Sequence, residues 1–127
     1  MTDTSKGSDR EIDRLFEALA RRRRRRVVRV LDSADGPVAF SDLVGKVAGA
    51  DDADRPAVDA AATRERVRTS LRRVHLPVLA EAGVAERGPE GTVVRPGTAF
   101  DAALALLTVG PEPADRNRAS DGAANAP

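Results

Sequence analysis

The stretch Thr63 to Arg95, TRERVRTSLRRVHLPVLAEAGVAERGPEGTVVR, decides the fold. It opens as a long amphipathic helix, stops at Ala82-Gly83-Val84, and continues as two short β-type runs around Gly88-Pro89-Glu90-Gly91. Val67, Leu71, Val74 and Val78 recur at spacings of four, three and four, which places them on one helical stripe and predicts a face turned to a core. Arg66, Thr69, Arg72 and Arg73 fall on the other face. Laid against a duplex, that face would set guanidinium forks at phosphates and at guanine edges. Arginine is also a good helix former, so the same residues read equally as an ordinary solvated surface. A helix followed at once by a hairpin is the outline of a winged helix-turn-helix, a mainly α fold with a small β-hairpin wing.

Within this stretch Thr63 is placed to cap the helix, and Arg64, Arg66 and Arg68 crowd its first turns, where free backbone N–H groups favour a docked phosphate. Pro77 has no N–H to offer the carbonyl of residue 73 and clashes with it, which predicts a kink or a restart. His75 sits at the edge of the apolar stripe, and we expect a half-buried, hydrogen-bonded ring. Gly83 suits a left-handed stop. Ala85–Arg87 and Thr92–Arg95 are the predicted wing strands. Arg87 and Arg95 stand at the base of the wing, able to clamp phosphates, whereas Glu86 and Glu90 make its tip a poor partner for them.

Upstream, a helical pattern starts at Glu11 with Leu15, Phe16 and Leu19 on one side, and six arginines, Arg21 to Arg26, follow. In one continuous helix Arg23 would lie four residues from both Leu19 and Val27, inside the apolar stripe. Burying an unpaired guanidinium there is costly, so we predict a break near Arg21, with helices at about 11–20 and 22–33. Six consecutive residues sweep the whole circumference of a helix, so the run is no single reading face. Solvated surface charge is its simplest reading, with one or two members at phosphates and one lying along the core. Gly36-Pro37 is a turn, Val38–Phe40 a short strand, and Ser41 the cap of a helix at about 42–49 whose Leu43, Val44 and Val47 pack under the longer helix.

Residues 50–62 form an acidic insertion, longer than the turn of roughly three or four residues that joins such helices. Asp51, Asp52 and Asp54 lack the glycine-centred pattern of a calcium loop and read as exposed acid, not as a metal site. Ala99–Val109 is a last helix whose surplus of apolar side chains suits a dimer seam or packing on the first helix. The polar start, 1–10, and the tail, 110–127, are expected to lack structure, leaving one domain over 11–109.

Composition narrows the functions. There is no cysteine, which excludes disulfides, thiolate nucleophiles and zinc fingers together. With three Phe and no Trp or Tyr, the core rests on Val, Leu and Ala, and stacking platforms for single-stranded nucleic acid are missing. One histidine and no phosphate-cradling glycine loop leave few groups for catalysis, so no enzyme and no cofactor is expected. No apolar run of about 18 residues occurs, which predicts a soluble cytoplasmic protein without a membrane partner. The net charge is only +1, yet it is segregated: +6 over residues 10–31, −5 over 32–62 and +4 over 63–76. A polyanion needs such a local patch, not a basic protein.

His75-Leu76, Leu79 and Ala82-Gly83-Val84 resemble the HLxxLxxAGLV signature that ends the recognition helix of ArsR-like winged-helix regulators. Leu15-Phe16-Glu17-Ala18-Leu19-Ala20, the arginines after it and Val27–Leu31 look like the opening of the same family. LFEALARRRRR together with RVRTSLRRVHLPVLAEAGV is more similar still to small winged-helix proteins common in halophilic archaea, which share the HLP-x-L proline and the acidic insertion. The resemblance covers about residues 12–96 and implies a homodimeric regulator of transcription that binds double-stranded DNA. The metal sensing known in part of the ArsR-like family does not carry over, because one His and no Cys supply too few ligands. Usage of 19 Arg against 2 Lys, with many Asp and Ala, suits a GC-rich genome, and the halophilic resemblance implies a salt-loaded cytoplasm as the context. At about 1 M salt the Debye length is near 3 Å, and bidentate Arg bonds would then carry duplex binding better than counterion release.

The expected function is therefore sequence-specific reading of duplex DNA, with helix 63–76 in the major groove and the wing at 85–95 alongside. Arg66, Thr69, Arg72 and Arg73 would meet bases, Arg64 and Arg68 would hold phosphates, and Arg87 and Arg95 would flank. The alternative is a winged-helix module that binds another protein and no DNA, favoured by the near-neutral charge and the acidic wing.

Overall fold

The computed structural model of the chain describes residues 2–54 and 59–109. The expected tail at 110–127 and the centre of the acidic insertion, 55–58, lie outside the described residues. Helix α1 spans Thr2–Ala18 and α2 Arg22–Ser33, so the break falls where Arg23 would otherwise interrupt the apolar stripe. The expectation of an unstructured lead-in over 1–10 gives way to a helical backbone from Thr2 onward. Strand β1 is Val38–Ala39, and α3 runs Phe40–Asp54. That helix passes through Gly49, where a stop was predicted, and it turns the first part of the acidic insertion into helix. Ser41 then lies inside its first turn and is not its cap.

Helix α4, Ala60–Ser70, starts before Thr63 because Asp59 caps it: its carboxylate accepts the N–H of Ala62 at 3.1 Å. Thr63, displaced from the cap, is buried, and its hydroxyl donates to the carbonyl of Asp59 at 3.2 Å. A π-helical turn, Leu71–His75, joins α4 to α5, Leu76–Glu81. Strands β2, Ala85–Arg87, and β3, Val93–Pro96, flank a 3₁₀ turn at Pro89–Gly91, and α6, Phe100–Val109, closes the described chain.

The three strands form one antiparallel sheet in the order β1-β3-β2, with Val38 opposite Val94 and Glu86 opposite Arg95. Helices followed by this small sheet are the mainly α winged arrangement predicted above. The core is aliphatic: Val27, Val28 and Leu31 of α2 meet Leu43, Val44 and Val47 of α3, with Val67, Leu71, Leu76 and Leu79 laid across them. Each such Val or Leu, fully buried, contributes about 1.5–3 kcal/mol relative to exposure. Gly83 turns the chain out of α5 at φ +76°, and a Cβ on Gly97 would strike its carbonyl oxygen. This close crossing brings Ala99 N–H to Gly83 O at 2.8 Å and leads into α6, which packs along α2.

The apolar stripe of the long helix changes phase inside the π turn. Val67 and Leu71 are buried as predicted, but Val74 is 49% exposed and Val78 only half-buried, while Leu76 and Leu79 take the core positions. The N–H of Leu76 bonds back to the carbonyl of Leu71, five residues earlier, so one extra residue fits in the turn. Pro77 disturbs the regular ladder here, since it cannot serve the carbonyl of Arg73 and needs room beside it.

Candidate nucleic-acid interface

The long helix lies with Thr63, Val67 and Leu71 inward, which turns Arg66, Thr69 and Arg73 outward on one stripe. With Ala62, Glu65, Ser70 and Val74 they line an open groove of about 660 Å³. The Arg66 guanidinium donates one bond, to the hydroxyl of Thr63 at 3.2 Å, and keeps its other N–H groups outward. Among the described residues Arg73 has no hydrogen-bond or ion-pair partner.

Arg72 parts from this set and lies over the ring of Phe40 with its guanidinium carbon 5.1 Å from the centroid. Arg87, from the wing, approaches the same ring at 6.0 Å. Phe40 is thus a plate between helix and wing that holds two cations near each other by cation–π attraction. Arg87 also donates to the carbonyl of Gly91 at 3.3 Å, which fixes it along the hairpin.

The remaining predicted residues are already engaged. Arg64 crosses to α3 and donates to the carbonyl of Ser41 at 3.1 Å. Arg68 pairs with Glu65 one turn back at 3.5 Å. Arg95 donates from Nε to Glu86 at 3.2 Å across the β2–β3 ladder, so half of the expected phosphate clamp is neutralised by its own strand neighbour. The structure therefore groups Arg66, Thr69 and Arg73 on the helix and Arg72 with Arg87 at the wing, and holds Arg64, Arg68 and Arg95 apart from both.

Behind this face lies a polar network that the sequence reading missed. Arg24 and Arg25 are buried, not solvated, because they reach back to the open carbonyls at the end of α1. Arg24 donates to Glu17 O at 2.8 Å and Ala18 O at 2.9 Å, and Arg25 to Leu19 O at 2.8 Å. The two side chains of the following helix thus cap the preceding one. Burial lowers the pKa of Arg24, Glu17 opposes that shift, and a guanidinium stays charged throughout the usual pH range.

Asp51, expected as exposed acid, is a half-buried hub. Arg23 donates to its Oδ2 from Nε at 3.0 Å and from Nη2 at 2.8 Å, and Arg26 pairs with its Oδ1. The third nitrogen of Arg23 donates to the Ser70 hydroxyl at 3.0 Å, so α2, the end of α3 and the end of α4 are tied at one point. Beside it His75 Nδ1 lies 3.2 Å from Arg24 Nη1 and must accept, since a guanidinium only donates. Burial, then repulsion from Arg24, Arg23 and Arg21, lowers the His75 pKa to about 4, with Asp51 pulling the other way. The ring is therefore neutral at pH 7. A signal for this network did exist, since six cations and an acidic segment of opposite charge call for pairing, but the separation of 25 to 28 residues hid which acid was chosen.

A family model described as a domain of unknown function, DUF7344, matches residues 16–95. The chain belongs to that family. The matched stretch runs from the last turn of α1 into β3 and takes in the arginine run, Asp51 and every candidate interface residue, leaving α6 outside. No curated protein and no solved structure matches the chain. Among the described residues no group of His, Cys, Asp or Glu is placed to hold a metal ion, and no helix is long and apolar enough to cross a membrane.

Proposed function

We propose that the chain is a sequence-specific, duplex-DNA-binding regulator of transcription, with α4 and the π turn in the major groove and the wing beside it. The observation that carries this reading is the division of labour on one surface. Arg66, Thr69 and Arg73 stand outward with donors to spare, and Arg72 and Arg87 make a second cationic site over Phe40, between helix and wing. An outward helical stripe of arginines is the arrangement that direct readout uses, and a stacked Arg at its rim is suited to a phosphate. The ArsR-like resemblance of the sequence supports the same assignment by fold-level analogy. We assign a second copy of the chain as partner, since a two-fold dimer reads two half-sites with two such helices.

The test is fluorescence anisotropy of the purified protein with random and genomic-promoter duplexes, titrated in salt. Tight binding that prefers particular duplexes is expected, and Arg72→Glu with Arg73→Glu should weaken it at least tenfold. Duplex affinity unchanged by that double reversal would remove the assignment. A second reading, a protein-binding module without DNA affinity, is favoured by the Glu86–Arg95 pair, which removes one of the two wing cations. A stable hetero-complex from the native host, with no duplex binding at any salt, would establish it.

A further inference from the structure

We infer that the groove beside Arg66 and Arg73 is a receptor for a thymine methyl group, so that the half-site read by this helix contains a T·A pair next to a guanine. The inference rests on the duplex-reading proposal and deepens it. The groove is bordered by cations yet lined mainly by carbon, from Ala62, Thr69, Val74 and the arginine stems. Val74 is one of few large apolar side chains left in solvent among the described residues. The π turn puts it there, since a regular helix would have carried it into the core with Val67 and Leu71.

A β-branched side chain held on the outward face beside Arg73, and near Arg66 with only one donor spent on Thr63, fits a ligand that is anionic in outline and apolar at one spot. In the major groove of a duplex that spot is the C5-methyl of thymine, while the edge of guanine offers two acceptors to an arginine fork. The spacing agrees. Arg66 and Arg73 are seven residues apart, at most about 10.5 Å of rise because the last residues lie in the π turn, which spans roughly two to three base-pair steps. Val74 follows Arg73 directly and Ser70 lies one turn before it, so the thymine lies at the Arg73 end of that span.

The experiment starts from the tightest duplex recovered by selection from a random library with the full chain. Each thymine is then replaced in turn by deoxyuridine, which removes the methyl and nothing else. At one position per half-site the exchange should weaken binding by about fourfold, the scale of one buried methyl. Val74→Ala should abolish that difference, with the helical circular dichroism of the parent protein retained. Selective duplex binding that tolerates uridine everywhere overturns the inference and leaves the regulator reading standing. A uridine penalty that survives in Val74→Ala overturns it too, by moving the contact elsewhere. Absence of duplex binding at every salt removes both. If Val74→Glu instead changes the mass of the particle in light scattering, the groove is covered by protein and the inference falls.

Discussion

His75 shows how one buried ring ties stability to pH. Unfolded, the imidazole takes up its proton near the ordinary value of 6.5; folded, it does so only near 4. Between these values the unfolded chain binds more protons, so stability rises with pH through the window, is complete above about 6.5, and is lost as pH falls toward 4. After allowance for solvent screening of a half-buried ring, the loss amounts to about 1–2 kcal/mol. Urea midpoints measured from pH 7.5 to 4.5 should show it, and His75→Gln, which keeps an acceptor for Arg24, should flatten the slope. An equally steep slope in that variant would place the effect on other groups. Asp51→Asn removes the carboxylate that Arg23 and Arg26, both partly buried, share, and should lower stability by about 1–3 kcal/mol in the same assay. No change in midpoint would mean that the two arginines find solvent without cost. The sequence did place His75 at a half-buried edge, since its position relative to Val74 and Leu71 is local. It did not reveal Asp51, because nothing within the acidic run separates the aspartate that is chosen from those beside it.

At the scale of elements, the π turn is the decisive feature. Four apolar residues at regular spacing predicted a straight helix with Val74 inward, and Pro77 announced a disturbance without saying which residue would absorb it. A kink, a break and a π turn all relieve the same clash, and they rotate the preceding face by different amounts. Packing chose the π turn, because it lets both Leu71 and Leu76 reach the core. Pro77→Ala restores the missing N–H. In that variant the turn should relax toward a regular helix, and the Val74 methyl resonances should move toward buried values while duplex affinity falls. Unchanged Val74 shifts would assign the turn to the core leucines alone. The end of α3 followed a similar logic: Gly49 was a local stop signal, overridden because carrying the helix on to Asp54 brings Asp51 to the arginines of α2.

For the whole molecule, the exposed edge of α1 bears on assembly. Ile12 and Phe16, one turn apart, are 48% and 58% exposed, while Leu15 between them turns toward the core. If a second copy covers that edge, Phe16→Glu should halve the particle mass in light scattering and weaken duplex binding at least tenfold, with the fold retained by circular dichroism. A parent protein that is monomeric at assay concentrations would refute the dimer. Three levels were legible from the chain alone: the break before the arginine run, the wing strands at their observed places, and the mainly α winged fold. Each follows from signals within a few residues of one another, such as apolar spacing, Gly83 and the Gly-Pro-Glu-Gly turn. Only the tertiary structure decided which arginines are free. Arg24 and Arg25 are spent on the end of α1, Arg23 and Arg26 on Asp51, Arg64 on α3 and Arg95 on Glu86, leaving Arg66 and Arg73 outward and Arg72 with Arg87 on Phe40. A guanidinium takes whichever carboxylate, carbonyl or ring the fold brings within about 3–6 Å, and that distance is a property of packing, which spacing along the chain does not encode.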